Sequence, residues 1–211
     1  MDGARDLGPG FCCISPTTNQ ITGVSYDGNG NVTQFGPPPG YALAYDVANR
    51  LATVNTTSAY AYDSTNLRTY YRNSAGLETI YLYGVDQKKM ATYTISLNSG
   101  KLTFNSQTEN VYFAGRLISA ENNAVALDGL GSVLWNSAYG SHAYSPYGAE
   151  YVASSNDTEK YATYTRDSLT ELDYALNRYY LQCLGPLHVA RPHDGERAAR
   201  QPTIVESIHL R

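Results

Sequence analysis

The sequence predicts an all-β protein built from antiparallel hairpins, with little helix. Three observations carry that prediction. Tyrosine supplies 20 of the 211 residues, against 4 Phe and 1 Trp, and aromatic rings at this density favour half-buried strands. Charged residues make up only 16%, too few for a coiled coil or helical bundle, whose surfaces consume Glu and Lys. A Tyr-Asp pair followed by a turn residue recurs along the N-terminal half, and self-similarity at short period marks a repeated structural unit. The same numbers exclude other classes. So many aromatics do not make a disordered polyelectrolyte. No stretch approaches the roughly 18 apolar residues of a membrane-spanning helix, and a net charge of -4 offers no basic footprint to nucleic acid.

In chain order, residues 1–18 read as a disordered or truncated start. Met1 to Gly8 has no basic segment followed by an apolar one, so it is not a signal peptide. Three cysteines, Cys12, Cys13 and Cys183, cannot build a disulfide framework, and the Cys12-Cys13 pair reads as two small residues rather than a redox or metal pair.

Residues 19–125 carry the hairpins. Tyr26-Asp27-Gly28-Asn29-Gly30 recurs as Tyr45-Asp46-Val47-Ala48-Asn49 and as Tyr62-Asp63-Ser64-Thr65-Asn66, at spacings of 19 and 17 residues. Asp at the first position of a type I turn accepts hydrogen bonds from backbone two residues on. The fifth residue must then enter the left-handed region, which Gly does freely and Asn does most readily among the rest. Gly30, Asn49 and Asn66 meet that demand, so each copy writes a turn and its bulge. The preceding Tyr sits at a strand end, where its ring can pack across to a neighbour. Between copies, 60–62, 79–83, 91–95 and 110–113 alternate as short strands, and 98–100 and 114–116 read as turns. The Gly36-Pro37-Pro38-Pro39-Gly40 run is a loop, because proline removes ladder donors.

Residues 126–185 form a second region. Leu127-Asp128-Gly129-Leu130-Gly131 is a degenerate copy that keeps Asp128 and Gly131 but not the Tyr. The one helical candidate in the chain is 167–176. Every Tyr lies between Tyr26 and Tyr180, whereas the last 31 residues hold three of four His and four of eleven Arg. This shift marks a boundary near residue 181, and 186–211 reads as a divergent, disordered tail.

The Tyr-Asp copies resemble the YD repeats of rearrangement-hotspot (Rhs) proteins and of Tc-toxin C components, and the later segments resemble the Rhs repeat-associated core. The resemblance rests on three ordered elements: Asp128-Gly129-Leu130-Gly131-Ser132, then Ser145-Pro146-Tyr147-Gly148, then the block from Arg166 and Asp167 through Leu172 and Tyr174 to Arg178, Tyr179 and Tyr180. It covers about residues 19 to 185. Two departures stand out. Glu171 replaces the family's usual Gly, which predicts a strained left-handed turn. After Leu184-Gly185 the family's Arg-Phe and Pro-Asp-Pro elements are missing, so the self-cleavage of such proteins is not carried over.

The resemblance implies part of a spiral β-sheet shell that encloses a toxin domain, in a secreted or cell-surface protein. Its partners would be the rest of the shell or that enclosed domain. Three repeats leave strand edges open, so the chain is expected to be a piece of a larger protein. No catalytic, cofactor or metal site is expected. Cys183, His188 and His193 lack the paired spacing of a zinc site, an acidic pair such as Asp167 and Asp173 could in principle do acid–base work whereas Asp27, Asp46, Asp63 and Asp128 read as turn formers, and Ser141-His142 has no nucleophile elbow around it. The alternative function is a carbohydrate-binding cell-surface module in which exposed tyrosines stack on sugar faces. Against it stands the bland role of rings that fill interstrand positions with their hydroxyls satisfied.

Overall fold

The computed structural model describes residues 15, 17–18, 20–21, 23–36, 40–98, 100–154, 157–176, 178–180 and 182. Among them the protein is nearly all antiparallel sheet. Nine strands follow one another in a single meander: β1 (Ser25–Tyr26), β2 (Val32–Phe35), β3 (Tyr41–Tyr45), β4 (Leu51–Val54), β5 (Ser58–Tyr62), β6 (Arg68–Arg72), β7 (Glu78–Tyr83), β8 (Lys89–Asn98) and β9 (Lys101–Glu109). Five more form a second meander: β10 (Val111–Phe113), β11 (Arg116–Ala120), β12 (Asn123–Leu127), β13 (Val133–Asn136) and β14 (Gly140–Ser141). A small third sheet pairs β15 (Thr165–Arg166), β16 (Asp173–Tyr174) and β17 (Tyr179–Tyr180). The strand orders are linear, and no sheet closes into a barrel. No helix of the described residues is long and apolar enough to cross a membrane.

The turns explain why these sequences make hairpins. Asp27 Oδ1 accepts from the N–H groups of Asn29 and Asn31, at 2.9 and 2.8 Å, while Gly30 N–H closes the turn on Asp27 O. Asp46 and Asp63 repeat the arrangement. Asn49 and Asn66 stand at φ of 60° and 67° in the slot that Gly30 fills. Burial alone would push the Asp46 carboxyl up, but bonds from the Arg50 side chain and from the Arg50 and Ala48 backbone outweigh it and hold the group below its ordinary value. Each turn is followed by a bulge, so that Tyr26 pairs with Val32, Tyr45 with Leu51, Tyr62 with Arg68 and Tyr83 with Lys89.

The tyrosine that opens each hairpin works through its hydroxyl. Tyr45 Oη donates to Val32 O at 2.8 Å, Tyr62 Oη to Leu51 O at 2.8 Å, Tyr83 Oη to Arg68 O at 2.9 Å and Tyr112 Oη to Lys89 O at 3.1 Å. Each accepting carbonyl belongs to the bulge partner of the tyrosine one hairpin earlier. These bonds stitch successive hairpins at a fixed offset, and Phe could not replace Tyr without leaving the carbonyl short of a donor. Tyr62→Phe is therefore expected to cost about 1 kcal/mol in urea denaturation. Tyr139→Phe on the exposed surface should stay within roughly 0.5 kcal/mol.

One face of the nine-stranded sheet carries the core. Leu43, Leu51, Val54, Tyr60, Tyr71 and Tyr81 are buried there against Leu172, Tyr174 and Tyr179 of the C-terminal segment. The helical expectation for 167–176 is corrected. Asp167 Oδ1 accepts from Leu169 N–H at 3.0 Å and Thr170 N–H at 3.3 Å, which favours a turn over a helical ladder. Glu171 then reverses the chain at φ 58°, and β16 follows. Pro37, Pro38, Pro39, Cys12, Cys13, Cys183 and the 186–211 tail lie outside the described residues.

Candidate functional site

The C-terminal residues singled out by sequence converge on one place, where the third sheet lies across the tyrosine-lined face of β4 to β7. At its centre is Arg68, whose side chain is 2% exposed. Its guanidinium carbon sits 4.5 Å from the ring centre of Tyr174, 5.1 Å from Tyr81, 5.5 Å from Tyr60 and 5.9 Å from Tyr179. Four aromatic faces around one cation are strongly attractive once water is excluded. The counter-charge is Asp167, with Oδ2 at 3.4 Å from Arg68 Nη1 and at 2.9 Å from the donating Tyr60 hydroxyl. Burial works against the charge on Arg68, but the tyrosine oxygens and Asp167 more than offset it and hold the group well above its ordinary value. Tyr174 Oη also accepts from Arg68 N–H at 2.7 Å, so backbone and side chain of one β6 residue both fasten to the third sheet.

A second buried cluster organises the region from the β14 end to β17. Arg166 forks onto Asp173, Nε to Oδ1 at 2.7 Å and Nη2 to Oδ2 at 3.0 Å, and reaches Glu150 Oε2 at 3.0 Å and Gly148 O at 2.9 Å. Lys160 Nζ meets the same Glu150 oxygen at 2.7 Å, and Ser154 Oγ donates to Glu150 Oε1 at 2.6 Å. Burial pushes the Asp173 carboxyl above its ordinary value, and Arg166 offsets only part of that. Glu150 goes the other way: burial would raise it, but the Lys160 and Ser154 bonds and the Lys160 and Arg166 charges lower it further.

The remaining sequence candidates have structural places. Asp128 Oδ1 accepts from Leu130 and Ser132 N–H, and Gly131 stands at φ +90° in that turn. Ser145 Oγ accepts from Ala149 N–H. Gly148 stands at φ +85°, and a Cβ there would lie 2.6 Å from Cγ of Tyr161, so the turn admits nothing larger. Pro146 O accepts from Tyr161 Oη, and Tyr147 O from Tyr180 Oη at 2.6 Å. The Tyr147 ring itself is exposed. Leu172 packs in the core and Arg178 contributes its carbonyl to Ala175 N–H. Asp167 and Asp173, the candidate acid–base pair, are 1% and 0% exposed and committed to these partners. Among the described residues no group of three or more His, Cys, Asp or Glu is arranged to hold a metal ion.

Sequence reasoning missed Arg68, Lys89, Glu150, Lys160 and the fourth hairpin at Tyr83. A signal existed for two of them. The position six residues after each hairpin tyrosine holds Val32, then Leu51, then Arg68, then Lys89. A cation in a slot that buries aliphatic side chains elsewhere demands a buried partner. The fourth hairpin hid because Gly84 replaces Asp and Gln87, at φ 62°, takes the left-handed slot.

No family model matches the chain, and no curated protein does. Among solved structures it is similar to a chain of TcdB2-TccC3-TEV, at TM-score 0.58 and 19% identity, over 78% of this chain and 9% of that one. Looser similarity extends to TcdB2-TccC3-Cdc42, at TM-score 0.40 and 15% identity over 86% and 13%, and to TcdB2-TccC3, at 0.38 and 14% over 90% and 13%. The first of these shows a shared fold. The chain thus spans about a tenth of the length of the solved chains it resembles.

Proposed function

We propose that the chain is a non-catalytic wall segment of an Rhs-type shell, with hairpins over 19–125, a core-like region over 126–185, and flanks at 1–18 and 186–211. Its partners are the neighbouring hairpins of that shell and the toxin domain it encloses, and the whole is secreted or displayed at a cell surface. The observation that carries this reading is the tyrosine stitching. Each hairpin hydroxyl fastens to the bulge carbonyl of the hairpin before it, an arrangement that extends by repetition and serves no local chemistry. The fold shared with TcdB2-TccC3-TEV supports it, and so does the commitment of both candidate catalytic carboxylates to buried partners.

Residues 20–182 grafted in place of the matched segment of a TcdB2-TccC3 chain test the reading. The graft is expected to keep a fused cargo domain resistant to added protease. A well-folded graft whose cargo is digested as fast as free cargo overturns it. A carbohydrate reading stays attached to the same protein, because Trp135, Tyr139, Tyr147 and Tyr151 are exposed while the stitching tyrosines Tyr45, Tyr62, Tyr83 and Tyr112 are half-buried. Glycan-array binding that disappears in Tyr147→Ala and Tyr151→Ala would move the assignment to a sugar-binding module.

A further inference from the structure

Asn29 is the only asparagine of the chain that a glycine follows; every other asparagine precedes a residue that carries a side chain. The pair occupies the tip of the β1–β2 turn, where Gly28, Asn29 and Gly30 are all exposed. Gly30 stands at φ +84°, and a Cβ there would meet nothing within 4 Å, so the main-chain nitrogen after Asn29 is sterically open. Three bonds hold the pair away from reaction. Asn29 N–H donates to Asp27 Oδ1 at 2.9 Å, Gly30 N–H to Asp27 O at 3.1 Å, and Asn29 Nδ2 to Asn49 Oδ1 at 2.9 Å. The last of these crosses to the next hairpin, and Asn31 Nδ2 donates to the same Asn49 oxygen at 3.0 Å.

Asn49 therefore clasps the first turn to the second. What the clasp keeps closed is the hairpin of β1, a two-residue strand at the end of the nine-stranded sheet. A short hairpin at a sheet end opens at low free energy. Opening frees Gly30 N from Asp27 O and the Asn29 carboxamide from Asn49. We propose that Asn29 is a site of spontaneous deamidation, and that the Asn49 clasp sets its rate. The Gly30 nitrogen loses its proton to solvent base and attacks Cγ of Asn29. The Cγ–Nδ2 bond breaks, and that nitrogen takes a proton from solvent and leaves as ammonia. Water then opens the five-membered succinimide at either carbonyl, leaving aspartate or isoaspartate at position 29. One water is consumed and one ammonia released, with no other co-reactant.

The product cannot remake the clasp. A carboxylate at position 29 has no N–H to give to Asn49 Oδ1, and it adds a second negative charge to a turn that already holds the Asp27 carboxylate. Isoaspartate also routes the main chain through the side-chain carbon, which moves the Asn31 N–H that Asp27 Oδ1 accepts. Modification of an open hairpin thus keeps that hairpin open, and the change accumulates with the age of the chain. This chemistry is independent of what the protein encloses.

Peptide mass mapping of the full chain, held folded in mildly alkaline buffer, tests this directly. Position 29 is expected to turn to acid faster than Asn73 or Asn105, which precede serine, with isoaspartate the larger product. Conversion no faster than at those two residues overturns the proposal. Wild type unfolded in urea should convert faster than folded wild type, because unfolding releases the turn; equal rates overturn the clasp. Asn49→Gly supplies the decisive variant, since glycine keeps the left-handed slot without strain and removes the accepting oxygen. Folded Asn49→Gly is expected to convert about fivefold faster than wild type, the factor that follows from losing one net hydrogen bond, while the two proteins convert alike in urea. A folded-state rate unchanged in Asn49→Gly overturns the clasp even if position 29 is the fastest site.

Discussion

Arg68→Ala is expected to remove roughly 3–5 kcal/mol of stability, the usual cost of breaking a buried ion pair by deleting one partner. Against a total of about 5–15 kcal/mol for a folded domain, that loss approaches global unfolding. Three contributions fall together. Asp167 keeps a charge in a site that is 1% exposed, with only Tyr60 Oη left to donate from a side chain. The faces of Tyr60, Tyr81, Tyr174 and Tyr179 lose their shared cation. The vacated volume separates the third sheet from β6. Urea denaturation followed by tyrosine fluorescence measures the loss, and limited proteolysis should show cutting between β15 and β17 before any cut in β2 to β5. Pairing Arg68→Met with Asp167→Asn should recover much of the deficit, because replacing both charges removes the uncompensated one. An Arg68→Ala protein within about 1 kcal/mol of wild type would mean that apolar packing by Leu172, Tyr174 and Tyr179 holds the third sheet without the cage.

The parts of this architecture that were legible in sequence are the local ones. Asp27, Asp46 and Asp63 announce their turns because the chemistry that selects them acts within five residues, and the bulge follows from the left-handed fifth position. The role of Tyr45 and Tyr62 was only half legible. A tyrosine at a strand end can be read as a packing ring, but its hydroxyl bonds a residue 13 or 11 positions back, which periodicity does not reveal. Arg68 and Asp167 lie 99 residues apart, and nothing near either residue names the other. Charge at a repeat slot otherwise filled by Val32 and Leu51 was the available clue. The helical expectation at 167–176 failed for a related reason. Its apolar spacing at Leu169, Leu172 and Leu176 suits one helical face, but Asp167 at the start of the segment captures backbone N–H groups that a helix would use.

Arg166→Ala carries the other large expected effect and differs from Arg68→Ala in its pH dependence. Arg166 bridges two carboxylates at once, forking onto Asp173 and touching Glu150, while its Nη2 also holds Gly148 O. Removal leaves Asp173 at 0% exposure with no fork partner, again at roughly 3–5 kcal/mol. Arg166→Lys should rescue little, since a single ammonium cannot span both carboxylates and the Gly148 carbonyl in one plane. Asp173 already sits above its ordinary value because burial outweighs its partner, and without the guanidinium it must rise further. A raised folded-state value means that the variant is least damaged at acid pH, where Asp173 is neutral in both states. Its deficit relative to wild type grows as pH climbs from the wild-type folded value, itself above the ordinary one, through the still higher value of the variant. Melting curves at pH 4, 5.5 and 7 should therefore show Arg166→Ala falling progressively further behind wild type. A deficit constant across that range would mean that Asp173 is solvated once Arg166 is gone, and that the buried fork is not what holds β15 against β16.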